Sequence, residues 1–190
     1  FCRVAGVRDG AQRGRRQAPL LRRGLYAVAP PYQKVKPHPF LVANRLQRAS
    51  YVSGQSALAF YGLIPDTPQL TISASAGRPE YLETSLGVFE FRHVKPELLR
   101  GYHMTDLSRA EPGQQALVAR PEKALLDLVY LQPSGDMPEY LQELRLQNLG
   151  GLDLDDLHRQ AEAFHTPKLR RAAEIITRLA QEETQEYVTI

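Results

Sequence analysis

Five histidines, one cysteine and 21 acids are the material from which this 190-residue chain could build a catalytic or metal site. The closest histidine pair, His158 and His165, is seven apart, so both share a face only if one helix runs through both, with Asp155 or Glu162 nearby. That arrangement is a weak metal site, and surface or helix-end histidines are the simpler reading. The segment GGLDLDDL at 150–157 superficially resembles the metal-binding turn of a nucleotidyltransferase. Asp153 and Asp155 follow the glycines too closely to leave space for an intervening helix, so a turn and a capped helix start are expected instead. No Gly-Lys dipeptide and no GxGxxG occur, which removes the usual phosphate-binding loops. Two residues before each lysine stand Tyr32, Lys34, His93, Pro121 and Thr166, none acidic, so the acid-x-Lys signature of a nuclease is missing too. Cys2 has no local partner for nucleophilic work. These residues assign no catalytic group, metal or cofactor.

The positive chemical signal is charge. Residues 1–50 hold eleven of the 24 Lys and Arg but a single acid, Asp9, for a net of +10, and the rest of the chain is acidic enough to bring the total to +3. A basic end on an acidic body is the distribution expected when one end meets a polyanion. Arginine dominates it, and the planar guanidinium suits phosphate oxygens and guanine edges. Six phosphate contacts would weaken binding by about 10³ between 50 and 200 mM salt.

The elements that must position these groups follow from punctuation and period. LLRRGLYAVAP reads as a short strand closing at Pro30-Pro31, with Arg22 and Arg23 at a hairpin tip. A helix is expected from His38, through Phe40, Leu41, Asn44 and Leu46. YVSGQSALAFYGLIP is the best-marked helix, with Ser53 as N-cap, Ala57, Leu58 and Tyr61 as its apolar face, and Gly62 at C′ before Pro65. Strands are expected at 69–75 and 87–94, the second carrying Phe89 and Phe91 on one face, and the two joined as a hairpin through Gly77 and Pro79. A further strand at 115–119 leads into a helix with Pro121 at N1 and Glu122 in its first turn. Helices at 138–148, after Asp153, and from Thr166 and Pro167 to 183 complete the chain. Tyr51, Leu58, Tyr61, Leu63, Phe89, Phe91, Leu125, Leu126, Leu128, Val129, Leu141 and Leu144 are the expected core. The order implies an α+β fold with a C-terminal helical region.

Four segments, LLRRGLYAV, ANRLQRASYVSGQSALAFYGLIP, LGVFEFRHVKPELLRGY and ARPEKALLDLVYL, in this order and spacing, resemble the AbiEi family of antitoxins from bacterial type IV toxin-antitoxin systems. The resemblance covers about residues 20–185. It implies a winged helix-turn-helix followed by a mixed α/β effector domain, placed here as a basic segment with the remnant wing at 1–36 and an antitoxin domain at 37–190. Members are similar in repressing their own operon through promoter inverted repeats, in a phage-defence setting. Their C-terminal domain counters a nucleotidyltransferase-like toxin without a stable complex.

By that resemblance LLRRGLYAV matches the wing, which lays Arg22, Arg23 and Tyr26 against the DNA backbone or minor groove. Arg13, Arg15, Arg16, Lys34 and Lys36 complete the expected DNA-binding set. The two or three helices that precede a wing do not fit into the twenty residues before LLRRG, and the chain opens on Phe1, so the recognition helix is expected to be missing from a truncated N-terminus. Phosphate contacts would survive that loss and base readout would not. A second polar surface is expected from Arg92, His93 and Lys95 after the Phe strand, with Arg120 and Lys123 at the next helix start. No stretch approaches the ~18 apolar residues of a membrane span, and a lone cysteine fits a reducing cytoplasm. Two other readings stay open: an effector domain acting on RNA or protein without sequence-specific DNA binding, and a metal-dependent enzyme built on His158 and His165.

Overall fold

The computed structural model describes residues 20–27, 35–107 and 113–188, with side chains to 185. It is a mixed α+β structure. Strands β1 (Leu20–Arg22) and β2 (Leu25–Tyr26) form an antiparallel hairpin, turned by Arg23-Gly24, where Gly24 takes the left-handed φ of 80° that a side chain disfavours. A winged helix-turn-helix would need helices upstream of Leu20, outside the described residues, so the hairpin stands as a hairpin. Leu21 and Ala27 are buried in the same core as the rest of the chain.

Helix α1 (Pro39–Leu46) starts where the prolines and His38 place it. The His38 Nδ1 accepts from the Phe40 amide at 3.2 Å, and its own backbone amide donates to the Gln114 Oε1 at 2.6 Å. Capping through Nδ1 requires neutral imidazole, and partial burial pushes the His38 pKa below its ordinary value. Since the folded protein resists this protonation, its contribution is complete above about pH 6.5 and is lost as pH falls through the lowered value. His38→Asn supplies a non-titrating cap, and we expect it to flatten the acid limb of a melting-temperature profile between pH 7 and 5. An unchanged profile would show that the cap does not control that limb.

Strand β3 (Ser50–Val52) and helix α2 (Gly54–Phe60) come next, and Gly62 at φ 72° ends the helical turn as its sequence position implies. The remaining strands are β4 (Leu70–Ser75), β5 (Glu80–Thr84), β6 (Gly87–His93), β7 (Tyr102–Asp106) and β8 (Gln115–Ala119). With β3 they form a six-stranded mixed sheet in the order β5-β6-β4-β3-β8-β7.

The expected hairpin between 69–75 and 87–94 is not what forms. β4 and β6 pair in parallel, Thr71 opposite Phe89 and Ser73 opposite Phe91, and the true hairpin partner of β6 is the edge strand β5. The chain from 76 to 86 must return before β6 can run parallel, and that return is itself a strand, with Glu80 and Glu83 held at the solvated edge of the sheet.

Helix α1 covers one face of the sheet, where Ser50 Oγ donates to the Gln47 carbonyl and Asn44 Nδ2 donates to the Ser50 carbonyl. Helices α2 and α3 (Pro121–Leu131) cover the other, and α5 (Leu154–Ala163) and α6 (Pro167–Val188) pack outside α3. Helix α4 (Pro138–Glu143) is shorter than expected, since Arg145 and Asn148 adopt positive φ of 50° and 58°. Asp153 caps α5 as predicted, accepting from the Asp156 amide at 2.9 Å. Every residue expected in the core is buried except Tyr61, which is half-buried.

Candidate functional site

The hairpin carries the described part of the basic end. Arg22 is not free: its Nη1 donates to the Leu46 carbonyl at 2.7 Å and lies 3.0 Å from the Glu80 Oε2, with the two side chains 43% and 31% exposed. Arg23 is exposed in the turn and Tyr26 is half-buried on β2. The Lys36 side chain is exposed, while its carbonyl accepts from the Gln114 Nε2 at 3.1 Å. Gln114 therefore grips the segment leading to α1 at two points, Lys36 and His38. Arg13, Arg15, Arg16 and Lys34 lie outside the described residues.

The second polar surface is divided by the sheet. Arg92 and His93 end β6, whereas Arg120 follows β8, with β4 and β3 between them. Three strand spacings are about 14 Å, and because β6 and β8 run in opposite directions their C-terminal ends point to opposite ends of the sheet. Arg92 pairs with Glu90 on its own strand at 2.8 Å, the His93 Nδ1 lies 3.0 Å from the Gly77 carbonyl, and Lys95 precedes a 3-10 turn at Pro96–Leu98. Arg120 is exposed ahead of α3, its backbone amide bonded to the Gly101 carbonyl at 2.9 Å.

Lys123 corrects the expectation most. It is 0% exposed and turned inward, its Nζ 2.5 Å from the Asp127 Oδ1, and Asp127 is equally buried. The other carboxylate oxygen, Oδ2, accepts from the Tyr51 hydroxyl at 2.9 Å and the Ser53 hydroxyl at 2.7 Å. Ser53 thus sits at the start of α2, but its hydroxyl serves Asp127 and makes no cap bond. The ammonium also faces the Phe164 ring at 4.5 Å and the Tyr51 ring at 5.7 Å, both within cation–π range. Tyr51 stacks in turn on Tyr102, with ring centroids 4.5 Å apart. Burial lowers the Lys123 pKa against the opposing pull of Asp127, and burial together with the Asp127 charge raises that of Tyr51.

Nothing in this quartet reaches solvent, so it is a buried electrostatic joint between β3 and α3 and does not meet a substrate. The sequence signal for it was the apolar surround of Lys123 and Asp127: Ala124, Leu125, Leu126, Leu128 and Val129 leave α3 no wholly polar face. A helix apolar all round is buried, and its charges must then be paired inside.

The histidine pair separates as well. Helix α5 ends at Ala163, His165 takes φ 51° before Pro167, and His158 Nε2 lies 2.9 Å from the Thr177 Oγ1 on α6. Among the described residues no three of His, Cys, Asp and Glu gather as metal ligands, and no helix is long and apolar enough to cross a membrane. A shallow cleft of about 630 Å³ between Leu149, Leu152, Leu154, Ala180, Gln181 and Thr184 has no titratable group among the described residues that line it. No family model matches this chain, and no curated protein matches it either.

Proposed function

We propose that this chain is an antitoxin-type transcriptional regulator of a type IV toxin-antitoxin system, acting in the cytoplasm. It holds DNA through its basic end and counters a nucleotidyltransferase-like toxin through the remainder without a stable complex. The support is the ordered set of segments that resembles the AbiEi family, and one observation gives that set physical coherence. Its two most specific pieces meet in space. Tyr51 and Ser53 come from YVSGQSALAFYGLIP, Lys123 and Asp127 come from ARPEKALLDLVYL, and the first three converge on the buried carboxylate of the fourth.

The DNA-binding half of the proposal rests on Arg23 in the hairpin turn and on Lys36, both exposed. Arg23→Gln and Lys36→Gln are each expected to weaken binding to the protein's own upstream duplex and to a random duplex alike, lowering the slope of log affinity against log salt by about 1 per residue. Gel-shift titrations at several salt concentrations measure this. Equal wild-type affinity for both duplexes at moderate salt would remove sequence-specific repression.

The engagement of Arg22 with Leu46 and Glu80 favours a second reading, an effector domain that acts on RNA or protein without reading DNA. Co-expressing the whole chain, as wild type and as R23Q/K36Q, with the neighbouring toxin gene separates the two activities. Under this reading growth is rescued equally by both, even where the variant no longer shifts DNA.

A further inference from the structure

The Arg22 guanidinium is held in place by contacts that do not need its whole charge. Its Nη1 hydrogen bond goes to the carbonyl of Leu46, the last residue of α1, where the helix end carries partial negative charge and fixes a cation. That bond positions the group at the foot of the hairpin. The second contact is the Glu80 carboxylate at 3.0 Å, on the first residue of the edge strand β5. With both side chains partly in solvent, this ion pair is of the weak, exchangeable kind. Both contacts fall on Nη1, and among the described residues Nε and Nη2 have no partner.

We propose that Arg22 is a preformed seat for a backbone phosphate of nucleic acid, occupied in the free protein by the Glu80 carboxylate standing in for that phosphate. This rests on the DNA-binding reading above and adds a contact that the resting protein covers. A phosphodiester and a carboxylate present the same chemistry to a guanidinium: a delocalised anion whose two oxygens accept in parallel. Binding exchanges one anion for the other while the Leu46 bond stays. Exposed Arg23 and Lys36 supply the long-range attraction, and Arg22 engages only after Glu80 gives way. Glu80 therefore lowers the affinity for any polyanion and leaves the contacts at Arg23 and Lys36 unaltered.

The test compares whole-chain wild type with Glu80→Gln and Glu83→Gln, titrated against a 30-base-pair duplex at several salt concentrations. Glu83 is exposed three residues further along the same edge strand, so its substitution changes net charge equally without touching Arg22. Opening a full phosphate site is expected to tighten E80Q binding about tenfold at 50 mM salt and to steepen the salt slope by about 0.9. The control E83Q is expected to shift affinity by less than about twofold and to leave the slope alone. In an Arg22→Gln background the gain from E80Q should vanish. E80A, with the same expectation as E80Q, removes any dependence on the glutamine amide.

If wild type binds the duplex and E80Q matches E83Q, the occupied-seat proposal is overturned while the DNA-binding reading stands. Binding by E80Q alone, with none by wild type, supports the seat and shows the resting state to be closed. Absence of binding by every variant at the lowest salt overturns both.

Discussion

Asp127→Ala is expected to destabilise the protein by about 3–5 kcal/mol, the cost of leaving one half of a buried ion pair without its partner. The substitution strands three groups together: the Lys123 ammonium and the hydroxyls of Tyr51 and Ser53, all of which direct their hydrogen bonds at this carboxylate. Each of these groups is buried, so water cannot replace the lost acceptor. The double substitution K123M/D127L removes both charges at similar volume but still leaves the Tyr51 and Ser53 hydroxyls without their acceptor, so it should recover only the part of the loss that comes from the stranded ammonium. Urea unfolding curves measure both. A D127A loss below about 1 kcal/mol, or a double variant as unstable as D127A, would show that the joint is not an electrostatic one.

Gly135→Ala is the second large effect, at about 1–3 kcal/mol, through overpacking. A Cβ at this position would lie 2.6 Å from the Val129 carbonyl oxygen, 2.8 Å from the Val129 Cα and 3.1 Å from the Gln132 carbonyl oxygen. All three are backbone atoms, so no side chain can swing aside to admit it. The turn is drawn tight against the end of α3 by the Gly135 amide, which donates to the Gln132 carbonyl at 3.0 Å. Gly150→Ala, where nothing lies within 4 Å of the added carbon, is the matched control and should stay within about 0.5 kcal/mol of wild type. Thermal melts that place G135A and G150A at the same midpoint would refute the steric argument.

Helix starts were readable because their chemistry is local. Pro39, Pro121, Pro138 and Pro167 each open a helix at its first turn, and Asp153 caps the fifth. Strands β3, β5 and β7 were not. β3 is three residues buried on both faces, so it shows no alternation, and β5 and β7 are sheet edges whose mixed side chains resemble loop. Parallel pairing of β4 with β6 depends on a return path that no short window contains.

The site divides in the same way. Arg22, Arg23 and Tyr26 were placed on a hairpin by the LLRRGLY pattern, and a hairpin forms there. The Glu80 partner of Arg22 lies far along the chain, and nothing near either residue announces it. Lys123 and Asp127, four residues apart, have the spacing of an ordinary solvated helix pair, and only their apolar neighbours show that they point inward.

The joint at Asp127 also sets an order of events during synthesis. The Tyr51 bond spans 76 residues and the Ser53 bond 74, so β3 emerges from the ribosome long before the carboxylate that completes its surroundings. Until residue 127 is available, the inner face of β3 has two hydroxyls and an aromatic ring with no helix to cover them. Closure of this long loop is therefore a non-local step that cannot precede the synthesis of residue 127.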